Sequence, residues 1–131
     1  MRYLLDVNLL IALGHSDHAL HERALAWYLK LSPKRDELLT CSITELGFVR
    51  VCVQAGLQND VAHAIKALVA LKRSSSIPLS LLPDGIGADR MPAFVAKPQS
   101  ITDGHLIELA HESGTKLATL DKGIPGAFVL P

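Results

Sequence analysis

The chain has 131 residues, 49% of them hydrophobic, which suits one compact domain with a sizeable core and excludes a disordered chain. Thirteen Lys and Arg balance thirteen Asp and Glu, which excludes a polycation, an acidic tail and any partner held by bulk charge alone. A nucleic-acid partner would need a local patch or bound cations.

YLLDV at 3–7 predicts a short buried strand, and NLLIALG a short helix ended by Gly14. Leu25, Ala26 and Leu29 stand at helical spacing and predict a helix over 18–32, stopped by Pro33. LLTC at 38–41 is a second strand. Ser42 opens a helix to about Ala55, closed by Gly56. Residues 59–74 predict a helix capped by Asn59 or Asp60, with Lys72-Arg73 explained by the helix dipole alone. LSLL at 79–82 is a third strand. Residues 83–100, rich in Gly and Pro, predict a loop with one helical turn. A helix at 102–113 ends at Gly114, KLATL at 116–120 is a strand, Asp121-Lys122-Gly123 a turn, and AFVL at 127–130 a last strand.

Strands separated by helices imply an α/β fold with a mostly parallel sheet covered on both faces. The near-continuous apolar strand runs agree. In such sheets the ligand site lies beyond the carboxyl ends of the strands. Cys41 and Cys52 each sit in an apolar run and are too few for a disulfide framework, so both read as buried, reduced thiols. The apolar start is broken by Asp6 and Asn8, too short to span a bilayer and unlike a signal peptide. These features predict a soluble, cytoplasmic protein with no membrane association.

The acids fall where that topology has meaning. Asp6 ends the first strand and Asp121 follows KLATL. Glu45 and Asp103 lie in the first turns of two helices whose starts face the same edge. Each has a structural explanation of its own. Ser42-Ile43-Thr44-Glu45 matches a capping box, Asp103 suits a helix dipole, Asp121 suits a turn, and Asp6 suits a helix cap. Their joint placement is the stronger signal. Like charges about 4 Å apart repel by roughly 1–4 kcal/mol, so a crowded acid group needs a cation or shared protons. Oxygen donors without His or Cys at ligand spacing point to a hard ion, Mg²⁺ or Mn²⁺. Such an ion lowers the pKa of water and neutralises charge on a phosphoryl oxygen, which fits phosphodiester hydrolysis.

Five segments in order, LLDVNLLIAL, H-x-x-H-x-x-A-x-x-W at 18–27, TCSITELGFVRV, ITDGHLIELA and KLATLDKGI, resemble the PIN-domain nucleases, and among them the VapC-type toxins of bacterial toxin–antitoxin pairs. The resemblance covers nearly the whole chain as a single domain, 1–131, while residues 57–100 match in layout only. It implies a three-layer α/β/α sandwich with a sheet of four to five strands. It also implies a Mg²⁺- or Mn²⁺-dependent endoribonuclease, dimerisation, an RNA substrate and a cognate VapB-like antitoxin. Asp6, Glu45, Asp103 and Asp121 fall on the family's acidic quartet, with Asp6 and Asp103 most like its principal metal ligands. Asp6 or Asp121 is implied as the base. Asn8 and Thr119 fall on polar positions that support the carboxylates. Arg50 falls on a basic position, to touch RNA or pair with an acid of the cluster, the pairing being favoured. Lys122 beside Asp121 reads equally as a phosphate contact or a solvated turn residue.

Other residues read as structural. His15, His18 and His21 lack the further ligands of a zinc site, and His105 reads as a helix-surface residue. Leu25, Trp27 and Leu29 read as core. Phe48, Val49, Val51 and Val53 are more apolar than one stripe requires, which hints at an interface. A receiver domain is excluded because the region near residue 50 reads FVRVCVQ rather than a strand ending in an acid. A D-x-D phosphatase is excluded by Asp6-Val7-Asn8. The alternative kept is a catalytically inactive PIN-like RNA-binding or scaffold protein.

Overall fold

A computed structural model describes all 131 residues. Five strands form one sheet: β1 (Arg2–Leu5), β2 (Glu37–Thr40), β3 (Leu79–Leu81), β4 (Lys116–Thr119) and β5 (Phe128–Val129). Their spatial order is β3-β2-β1-β4-β5, and every neighbouring pair is parallel. The helices are α1 (Val7–Gly14), α2 (His21–Tyr28), α3 (Ser42–Gln54), α4 (Val61–Ser74) and α5 (Ile101–Glu112), with single 3₁₀ turns at Ala88–Arg90 and Pro98–Ser100.

Alternation along the strands makes three layers. Tyr3, Leu5, Leu38 and Ala118 point to a core of 17 buried residues shared with α1, α2, α3 and α4. Leu4, Leu39 and Leu117 point to a second core of 8, shared with α5. Tyr3 meets Trp27 edge-on, with ring centroids 5.1 Å apart. Both cysteines are buried and free. No helix is long and apolar enough to cross a membrane.

The connection from β4 to β5 contains no helix, although parallel strands usually need a crossover of about a dozen residues. Ile124 drops into the α5-side core, and Gly126 takes φ +80°, which turns the chain back to pair beside β4.

The predicted helix over 18–32 is shorter, His21–Tyr28. His18 N–H bonds the His15 carbonyl and Leu20 N–H bonds His18 Nδ1, so this stretch is turned rather than helical. Beyond Tyr28 the chain continues in i→i+3 turns before Pro33 is reached. Leu29 is 70% exposed, not core, whereas Trp27 is buried.

Candidate active site

The centre of the sheet is its topological switch point. β1 and β4 lie side by side: the chain runs from β1 through β2 to β3 at one edge, then crosses back to β4 and on to β5 at the other. Asp6 follows β1 and its N–H bonds the Ala118 carbonyl at 3.0 Å, so Asp6 stands against Thr119 at the end of β4. A crevice at this place is where open parallel sheets bind ligands. An open cleft of about 420 Å³ occupies it, lined by Asp6, Asn8, Arg50, Thr102, Asp103 and Asp121 among others.

Asp6 is held rigidly. It caps α1, with Oδ1 accepting the Val7 N–H at 2.8 Å. Oδ2 accepts the Thr119 hydroxyl at 2.7 Å. Thr119 Oγ1 in turn accepts the Asp121 N–H at 3.0 Å and the Asn8 amide at 3.3 Å. Asn8 Oδ1 takes the Leu120 N–H at 3.3 Å. Thr119 therefore ties two acids and Asn8 together. Asp121 Oδ1 closes its own turn by accepting the Gly123 N–H at 2.8 Å. Asp103 is half-buried at the start of α5.

The carboxylates feel one another. Burial is the largest cause holding the Asp6 carboxyl above the ordinary range; the Thr119 and Val7 hydrogen bonds oppose it, and the Asp121 charge adds to it. Burial also leads at Asp103, followed by the charges of Asp6 and Asp121, all of which raise it. A bound cation would relieve this strain.

The fourth acid of the predicted quartet is elsewhere engaged. Glu45 does not line the cleft. Its carboxylate pairs with Lys72 Nζ at 2.7 Å and accepts the Thr40 hydroxyl. Glu45 is also not part of a capping box with Ser42. Cys41 is the N-cap of α3, and its N–H bonds Thr44 Oγ1 at 3.0 Å, so the box sits one residue earlier. Lys72 therefore has a specific acidic partner, beyond the helix dipole.

Arg50 lines the cleft but is exposed and pairs with no acid, against the favoured expectation. Lys122 is exposed and stands outside the cleft lining. His15 is buried, bonded to the Ile11 carbonyl at 2.9 Å and to Gln58 at 3.0 Å, and His21 bonds the Ala12 carbonyl at 2.7 Å. Both are structural. His105 is not a free surface residue, since it pairs with Asp84. Sequence reading missed His18, Gly47, Val51 and Thr102 as cleft residues. Thr102 directly precedes Asp103 and Gly47 lies two positions after Glu45, so adjacency to the acids was the available signal for those two.

In kind, the carboxylate oxygens of Asp6, Asp103 and Asp121 at the acid end of the cleft fit a hard divalent ion. No three acidic, His or Cys side chains stand within ligating reach of one point. Asp103 and Asp121 are less buried than Asp6.

The PIN domain family matches residues 3–127. The chain belongs to the PIN-domain family. Its curated relatives include Ribonuclease VapC44 of Mycobacterium tuberculosis, 36% identical over 97% of this chain and 94% of its own length. Ribonuclease VapC38 of the same species is 35% identical over 92% and 86%. The crystal structure of VapC20 from that species, a sarcin–ricin-loop-cleaving toxin, aligns over 98% of this chain and 99% of its own, with TM-score 0.69 at 14% identity. That likeness shows the PIN fold, an α/β sandwich around a parallel sheet, in agreement with the five-stranded sheet here.

Proposed function

We propose that this PIN-domain cleft is the active site of a Mg²⁺- or Mn²⁺-dependent endoribonuclease, the toxin of a VapBC-type pair. The observation that carries the reading is the convergence of Asp6, Asp103 and Asp121 on the sheet's switch point, where Asp6 feels the Asp121 charge and Asp103 feels the charges of Asp6 and Asp121.

Asp6, Asp103 and Asp121 would hold the ion, and Glu45 would join only after leaving Lys72. A bound divalent ion supplies a lowered water pKa and neutralises charge on the phosphoryl oxygens. The chain's own residues do the rest. Thr119 and the Val7 N–H fix both oxygens of Asp6, which suits a rigid ligand. Asp121 is exposed and has Oδ2 free, which suits it to accept a proton from the attacking water. Asn8 braces Thr119 and the Leu120 N–H, so the β4 end keeps its place. Arg50 meets RNA phosphate on the cleft wall, and Lys122 offers a second cation beside Asp121.

The same reading includes a cytoplasmic protein, a VapB-like antitoxin and a homodimer. Val61, Ile65 and Val69 form an exposed apolar stripe on α4 of the kind such contacts bury. The test is induction of the chain alone, followed by mapping of new RNA 5′ ends. Wild type should slow growth and create discrete ends, and Asp6→Asn should do neither. Equal toxicity of both would overturn catalysis as the cause. Intact RNA with wild type would return the chain to the inactive, RNA-binding alternative.

A further inference from the structure

The cleft does not stop at the carboxylates. It continues between α1 and α3, with Val7 and Ile11 on one side and Val51, Ala55 and Leu57 on the other. From Gly47 to Ala55 the α3 side runs about 12 Å, at ~1.5 Å per residue. Metal–oxygen bonds of about 2.0–2.1 Å have no use for that length. The whole cleft, about 420 Å³, has the size of a small-ligand site. Gly47 permits the arrangement: a Cβ there would lie 2.7 Å from Val7 Cγ2, so any other residue would collide with Val7 beside the acids.

Two donors stand on this extension. Arg50 is exposed and pairs with no acid. His18 Nδ1 accepts the Leu20 N–H at 3.0 Å, so the neutral ring carries its proton on Nε2. An aliphatic floor with a cation and a single N–H donor matches the parts of one nucleotide: a flat apolar face, a phosphate and an acceptor edge. Such recognition reaches bases splayed out of a single strand, not bases stacked in a duplex.

We infer that the α1–α3 groove is a subsite for one unpaired ribonucleotide flanking the scissile phosphate, with Arg50 on the phosphate, Ile11 and Val51 against the base or ribose, and His18 Nε2–H donating to the nucleotide. The inference rests on the nuclease reading above and adds His18 and the apolar floor to it.

The test measures affinity for a labelled, randomised single-stranded oligoribonucleotide pool by fluorescence anisotropy. Ca²⁺, another oxygen-seeking ion, neutralises the acids, and a gel verifies that the RNA stays intact. His18→Asn keeps a short acceptor for the Leu20 N–H and loses the Nε2 donor. His18→Gln keeps a donor near the Nε2 position. The subsite predicts that His18→Asn weakens binding about three- to tenfold, the worth of one hydrogen bond, while His18→Gln stays near wild type. Val51, 36% exposed, can be enlarged without opening the core, and Val51→Phe should fill the groove and weaken binding at least as much. A purely structural His18 predicts the reverse order, with Asn near wild type and Gln impaired. That order, or Val51→Phe binding RNA as wild type does, would overturn the subsite. A Mn²⁺-induced rise in Tm, measured on the same proteins, reads the acid end separately. Its absence in wild type would overturn the metal site while the anisotropy still reports on the groove.

Discussion

Glycine inside a helix is less stable than alanine by about 0.5–1 kcal/mol, so helix propensity alone predicts that Gly104→Ala stabilises the protein. The packing predicts the opposite. Gly104 is buried in α5 beside Asp103, and a Cβ there would lie 2.2 Å from Val95 Cγ2 and 2.9 Å from Met91 Sδ. Carbon–carbon contacts settle at about 3.5–4.0 Å, so Val95 must retreat by more than about an ångström. The Met91 thioether can swing aside, but β-branched Val95 is stiff. Its segment is also tied to α5: Arg90 pairs with Glu108 at 2.6 Å and Glu112 at 2.9 Å, and Asp84 pairs with His105. Overpacking of this kind costs about 1–3 kcal/mol. After the propensity gain, a net loss of up to about 2.5 kcal/mol remains. Urea unfolding should show a lower midpoint with an unchanged slope. Val95→Ala removes the obstruction, so the double variant should recover most of the loss, with a coupling of at least about 1 kcal/mol. Mn²⁺ affinity should fall in the single variant and return in the double, because Asp103 moves with the helix start. A Gly104→Ala protein as stable as wild type, or a double variant that is the simple sum of its parts, would show that Val95 does not crowd this position.

Other predictions follow from the acids and their partners. Without metal, burial and mutual repulsion raise Asp6 and Asp103 above the ordinary 3.8. The folded state then holds more protons than the unfolded state between 3.8 and the raised values, so stability falls as pH climbs through that window. Asp103→Asn should therefore raise Tm in chelator at neutral pH and flatten the pH dependence, and added Mn²⁺ should stabilise wild type but not the variant. Thr119→Val removes the donor to Asp6 and the acceptor for the Asp121 N–H. It should weaken Mn²⁺ binding about 10–100-fold by titration calorimetry and lower stability by about 1–3 kcal/mol. Lys72 and Glu45 are 25% and 23% exposed, between the surface and buried cases, so Lys72→Met should cost about 1–2 kcal/mol in urea unfolding. Glu45→Gln should weaken Mn²⁺ binding less than Asp6→Asn or Asp103→Asn.

The strand and helix order was readable because apolar runs and turn residues mark each element, and the edge shared by Asp6 and Asp121 followed from β1 and β4 being parallel neighbours. What periodicity does not carry is choice of partner. Three residues of a stretch with helical spacing, His18 to Leu20, are instead turned by a side-chain acceptor, His18 Nδ1. A capping box can start at Cys41 as well as at Ser42, and only the backbone decides which, leaving Glu45 beyond it. Glu45 then meets Lys72, 27 positions away, a pairing with no local signature. Arg50 stays unpaired in turn, because the one acid on its own helix, Glu45, is taken by Lys72. The absence of a helix between β4 and β5 was visible in the sequence. Their parallel pairing depends on Ile124 and Gly126 placing the return strand, which no repeat pattern reports.

The most direct measurement is cleavage of bulk RNA by the purified protein, with Mn²⁺ or with excess chelator, for wild type, Asp6→Asn and Asp103→Asn. Wild type should cleave with Mn²⁺ and not in chelator, and neither variant should cleave. Cleavage in chelator, or undiminished cleavage by either variant, would contradict a metal site built on those two carboxylates.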